Sequence, residues 1–139
     1  MSVYFDASVL VAIFTQDAFS DRAHAYLLRE RPEIAISDFA RAEFASAISR
    51  SVRTGSLTAA EARSLFSDFD AWTGSSPLIE TSPQDIKVTE VWLRRLDMNL
   101  RAPDAMNIAI AERLGASLAT FDKRMAEAAT ALGVALAAA

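Results

Sequence analysis

The chain has 139 residues, 52% hydrophobic and 23% charged, with four Gly, four Pro, no Cys and a net charge of −4. That length fits one domain, and so apolar a chain with so little Gly and Pro excludes disordered and collagen-like classes. The lack of Cys excludes a disulfide framework and cysteine-held zinc, the single His24 excludes His-rich metal sites, and no apolar run approaches the ~20 residues of a membrane span.

A short apolar run at 3–5 reads as a first strand ending on Asp6, with a short helical piece after Ser8. The apolar run at 9–14 lacks a basic lead-in, so no signal peptide is expected and the chain is expected to be cytoplasmic. Helix 20–31 follows, then a strand at 34–36 and a helix at 38–54, with Asp38 as its cap. Thr58 and Glu61 form a T-x-x-E capping box that opens helix 58–72. The two helices around Gly55 therefore make an αα-hairpin.

The next run, at 78–80, precedes helix 83–96, which Ser82, Pro83 and Asp85 begin. Helix 102–114 starts with Pro103 after Ala102 and stops at Gly115. The run at 117–119 leads to Asp122 and helix 123–132, which stops at Gly133 before a last run at 134–136. Five short apolar runs alternating with helices predict an α/β fold, a single domain over 1–139 with a mostly parallel sheet and the αα-hairpin as an insertion.

Four acids stand where such a fold would gather them. Asp6 and Asp122 close strands at the carboxyl edge, where open α/β sheets bind ligands. Asp104 opens a helix that is apolar almost all round, and Glu43 lies just over one turn into the helix after the second strand. Each has a plain reading as well. Asp6 and Asp122 can be helix caps, worth about 0.5–2 kcal/mol. Asp104 can be an acid favoured by the helix dipole, and Glu43 a solvated helix residue beside Arg41 and Arg50.

Their convergence points further. At an effective dielectric near 20, two carboxylates 4 Å apart repel by about 4 kcal/mol. A hard divalent cation, Mg²⁺ or Mn²⁺, relieves this repulsion, and oxygen ligands suit it. Such an ion polarises phosphate and lowers the pKa of a bound water, which suits a nuclease. It also reconciles an acidic chain with an anionic substrate; the basic set, in which only Lys87 and Lys123 are not Arg, suits forked contacts to phosphate or carboxylate and by itself leaves the partner open. Ser8, Ser37 and Thr120 read equally as turn hydroxyls or as groups that orient an acid, and Asn107 lies one turn after Asp104. His24 reads as a surface residue, and Met98, Met106, Trp72 and Trp92 as fillers. No glycine-rich phosphate loop is present.

The motifs V-Y-F-D-A-S, A-R-A-E-F, R-A-P-D-A-M-N-I-A-I-A and S-L-A-T-F-D-K together resemble a PIN-domain ribonuclease. The length is similar to that of the VapC-type toxins of bacterial toxin–antitoxin pairs, and the resemblance spans the whole chain. It implies a PIN-like domain with a five-stranded parallel sheet flanked by helices. It also implies Mg²⁺- or Mn²⁺-dependent RNA cleavage at Asp6, Glu43, Asp104 and Asp122, with Ser8 and Thr120 as supporting hydroxyls. A homodimer is implied too, with a cognate antitoxin that blocks the acidic site and brings the DNA-binding part. Lys123 and Arg124 stand where many relatives have a further acid or Asn. Two other readings stay open: phosphoryl transfer with Asp6 as nucleophile, disfavoured by Ser8 two residues on, and a PIN-like binding module without turnover.

Overall fold

The computed structural model describes residues 2–139. Three parallel strands, β1 (Ser2–Phe5), β2 (Glu33–Ala35) and β3 (Ser117–Ala119), form a sheet in the order β2-β1-β3. Tyr4 pairs with Ala35 on one side and Leu118 on the other, so all three strands end at the same edge. Around them lie α1 (Ala7–Phe14), α2 (Ser20–Glu30), α3 (Asp38–Arg53), α4 (Ala59–Thr73), α5 (Pro83–Leu93), α6 (Ala102–Leu114) and α7 (Lys123–Ala131). Among the described residues, no helix is long and apolar enough to cross a membrane.

The expected five-stranded sheet is corrected to three strands. The runs at 78–80 and 134–136 supply only isolated parallel bridges, Ile79 beside Ser37 and Leu136 beside Leu118. Backbone donors explain the loss. Pro77 has no N–H, and Thr81 N donates to the Asp38 carboxylate at 2.9 Å rather than to a neighbouring strand. Val134 N is held by Ala129 O at 2.9 Å, so pairing starts only where Leu118 N reaches Ala135 O at 2.8 Å. The bridging segments still flank the sheet in the places the two missing strands would take.

Other boundaries moved for local reasons. Ser37, not Asp38, caps α3, accepting from Ala40 N at 3.0 Å. Arg31 adopts a left-handed φ of 44° and ends α2, and α5 stops at Leu93 before Leu96 takes φ 61°. Both capping boxes form as the sequence predicts, at Thr58–Glu61 and Ser82–Asp85. Gly115, at φ 64°, lets α6 turn directly into β3 without the penalty a Cβ would bring.

The core sits between the sheet and α1, α3 and α6. Tyr4, Phe5, Leu10, Phe44, Ile48, Ile108, Ile110 and Leu118 are fully buried, and burying each large apolar side chain contributes roughly 1.5–3 kcal/mol. The αα-hairpin is tied on by aromatic contacts, Phe44 stacking on Phe69 at 4.4 Å and Phe14 meeting Phe44, Phe69 and Trp72 edge-on. Arg113 of α6 grips the buried Asp85 carboxylate of α5 through Nε at 2.8 Å and Nη2 at 3.0 Å, and also reaches Glu80 O.

Candidate active site

The common strand edge gathers the acids. Asp6 follows β1 and caps α1, its Oδ1 accepting from Val9 N at 3.1 Å. Asp122 caps α7, its Oδ1 accepting from Arg124 N and Met125 N. Asp104 lies in the first turn of α6, where Arg101 N donates to Oδ2 at 3.3 Å. Glu43 comes from α3. All four, with Ser8, Arg101, Pro103 and Met125, line one cavity of about 310 Å³. Asp6 and Asp122 thus cap their helices and line the cavity at once, since a cap needs only one carboxylate oxygen. A larger cavity, about 360 Å³, carries Arg41 and Asp70 as its charged groups, and these pair with each other at 3.3 Å.

Asp6 is the most constrained of the four. Only 2% of it is exposed. Ser8 Oγ donates to Oδ1 at 2.7 Å, and Thr120 Oγ1 donates to Oδ2. Each hydroxyl is itself anchored, Ser8 accepting from Phe121 N and Thr120 from Asp122 N. Burial pushes the Asp6 carboxyl above the usual range, against the bonds from Thr120, Ser8 and Val9, and the Asp122 charge pushes the same way. Burial also raises Glu43; Asn107 opposes the rise, and the charges of Asp6 and Asp104 add to it. Arg101 is a weak counterweight: its Nε stands 3.9 Å from Asp104 Oδ2 and its side chain is largely exposed.

A buried polar chain reaches the cavity from behind. Tyr4 OH donates to Asn107 Oδ1 at 2.7 Å and lies 2.6 Å from Ser37 Oγ. Asn107 Nδ2 in turn donates to Glu43 Oε1 at 2.7 Å and to Pro103 O at 2.9 Å. With the Tyr4 proton directed at Asn107, Ser37 supplies the other donor, and every polar group of the chain is satisfied. The sequence reading placed Asn107 near the site but missed Tyr4. The available signal was a tyrosine in an apolar strand and an asparagine in an apolar helix, each of which needs a partner once buried.

Among the described residues, no three Asp, Glu or His side chains stand as a ready ligand group for a metal ion. The donors nevertheless fit a hard cation. Mg²⁺ keeps several of its waters and takes only one or two carboxylates directly. The oxygens here are carboxylates, and Asp6 and Glu43 are raised first by burial and further by the charges of the neighbouring acids. His24 lies elsewhere, exposed, with Nε2 3.1 Å from Ile13 O. Asp38 is exposed and turns to Thr81, whose N–H and hydroxyl donate to it and, against the local desolvation, hold it below the usual carboxylate range.

The PIN domain family model matches residues 3–131. Ribonuclease VapC46 of Mycobacterium tuberculosis is 30% identical over 138 residues, covering 97% of this chain and 95% of that protein. The fold is similar to that of VapC20 from the same organism, described as a sarcin–ricin-loop-cleaving toxin, with TM-score 0.72 and 20% identity over 91% of this chain and 95% of that one. It is also similar to VapBC2 from Rickettsia felis, solved with a promoter DNA fragment, with TM-score 0.71 and 16% identity over 99% and 98% of the two chains.

Proposed function

Because the chain belongs to the PIN-domain family, we propose that it is the toxin of a toxin–antitoxin pair, an endoribonuclease that depends on Mg²⁺ or Mn²⁺. The observation that carries this reading is the meeting of Asp6, Glu43, Asp104, Asp122 and Ser8 around one cavity at the carboxyl ends of parallel strands. The names of the similar proteins support the ribonuclease and toxin parts.

Asp6, with Asp104, Glu43 and Asp122 around it, would hold the cation. That ion, when bound, polarises a phosphodiester oxygen and makes hydroxide available near neutral pH. The chain's own groups prepare the site. Ser8 and Thr120 fix both oxygens of Asp6, and Asn107 holds Glu43 by Oε1. Glu43, held at the cavity by Asn107, is placed to accept a proton from attacking water. Arg101, at the cavity wall, offers a forked guanidinium to the RNA phosphate.

An antitoxin would silence such a site by placing Arg or Lys among the four acids, since guanidinium pairs with carboxylate directly. The similarity to toxin–antitoxin structures supports that partner. The toxin would act as a homodimer and meet DNA only through the antitoxin. Asp6 as a phosphoryl-accepting nucleophile is disfavoured, because hydroxyls engage both of its oxygens. The test is cleavage of an RNA pool by the purified chain in Mg²⁺ and in EDTA, beside Asp6→Asn. Cleavage in Mg²⁺ alone, absent from the variant, is expected; equal cleavage by the variant overturns the assignment.

A further inference from the structure

Phe19 and Phe121 lie face to face beside the acidic cavity, their ring centroids 4.7 Å apart and their planes 8° from parallel. Phe121 is tied to the site on both sides. It sits between Thr120 and Asp122, and its N–H donates to Ser8 Oγ at 2.9 Å. Phe19, just before α2, is 37% exposed. In the core Phe14 meets its three aromatic neighbours edge-on, and the one stacked pair there, Phe44 on Phe69, is closed off from solvent. The surface pair is flat and, at Phe19, open to water.

Positive charge accompanies the pair in a chain whose net charge is −4. The Arg22 guanidinium lies 5.7 Å from the Phe19 centroid and 5.1 Å from that of Phe121, with Nη2 also donating to Ala139 O. Lys123 and Arg124 follow Phe121 closely, are exposed, and open α7. A helix dipole disfavours cations at that end, so helix stability does not account for them.

We propose that Phe19 and Phe121 form a stacking platform for a base of single-stranded RNA beside the cleavage site, with Arg22, Lys123 and Arg124 meeting the flanking phosphates. This rests on the ribonuclease reading. Stacking suits it because every base has a π-face, and aromatic platforms with basic borders hold single strands without demanding a sequence.

The test is the fluorescence anisotropy of a labelled oligouridylate and of an abasic ribose-phosphate strand of equal length, with Ca²⁺ replacing Mg²⁺. Phe19→Ala should weaken oligouridylate binding on the order of tenfold and leave the abasic strand unchanged. Phe19→Trp should bind at least as well as the parent, and matched thermal melts show that both variants fold. If the parent binds oligouridylate and Phe19→Ala binds it equally, the platform is refuted while the ribonuclease reading stands. If the parent binds no RNA, both fail. If Phe19→Ala weakens only binding of the antitoxin, the face belongs to a protein partner and the proposal is overturned.

Discussion

Asn107 donates through Nδ2 to Glu43 Oε1 at 2.7 Å, so a residue buried in α6 sets the position of an acid on α3. The amide cannot turn over, because Nδ2 also donates to Pro103 O, a carbonyl that can only accept, while Oδ1 accepts from Tyr4 OH. Removing that hydroxyl in Tyr4→Phe leaves Asn107 Oδ1 and Ser37 short of a buried partner. Stability should fall by about 1–2 kcal/mol in urea unfolding. RNA cleavage should fall several-fold as Glu43 loses its fixed place. Unchanged cleavage alongside the stability loss would make the chain of bonds purely structural.

The same contact separates what the sequence made legible from what it did not. Asp6, Asp104 and Asp122, each an ordinary helix-start acid taken alone, were visible because the alternating pattern sends them with Glu43 to one sheet edge. The αα-hairpin was visible through Gly55 and the Thr58–Glu61 box. Tyr4 was not, since its role depends on Asn107 in a distant helix. Nor was the Asp85–Arg113 pair, which joins α5 to α6. The sheet was overcounted because an apolar run does not reveal where its N–H groups go. At 78–81 the Asp38 side chain takes one of them.

The Asp85–Arg113 pair gives a pH dependence. Despite burial, which would raise it, Asp85 is held below the usual carboxylate range by Arg113 and the Ser82 N–H. A carboxyl lowered in the folded state stabilises the protein above its unfolded pKa of about 3.9. That stabilisation is lost as pH falls toward its lower folded value. Asp85→Asn should therefore cost about 1–3 kcal/mol at neutral pH and lose less stability on acidification than the parent. Urea unfolding at neutral pH and near pH 3 checks this; parallel losses in the two proteins would contradict it.

Glu43 has the opposite sign. Burial raises its folded pKa, so the folded protein binds its proton more tightly than the unfolded chain does. Its contribution therefore declines as pH rises through that raised value. Glu43→Gln keeps an acceptor for Asn107 and removes the charge. In EDTA at neutral pH its Tm should rise by about 2 °C, a modest gain because water screens a half-buried carboxylate. A lower Tm would show that Glu43 is stabilised by its surroundings rather than opposed by them.

The antitoxin reading predicts which partner residue matters. Replacing the Arg or Lys that the cognate antitoxin places among Asp6, Glu43, Asp104 and Asp122 with Ala should restore RNA cleavage at ratios where the intact antitoxin silences it. Full inhibition by the altered antitoxin would locate the block elsewhere on the surface.

The central claim, a divalent-cation site made by the four acids, is tested most directly by melting the parent in Mg²⁺ and in Na⁺ at equal ionic strength. A ligand that binds only the folded protein stabilises it by about 2.7 kcal/mol when its free concentration is 100 times its dissociation constant. Mg²⁺ should therefore raise Tm by several degrees beyond Na⁺, and Asp6→Asn should lose that excess. Equal shifts from both ions in the parent would mean general screening alone, and would contradict a cation site among these carboxylates.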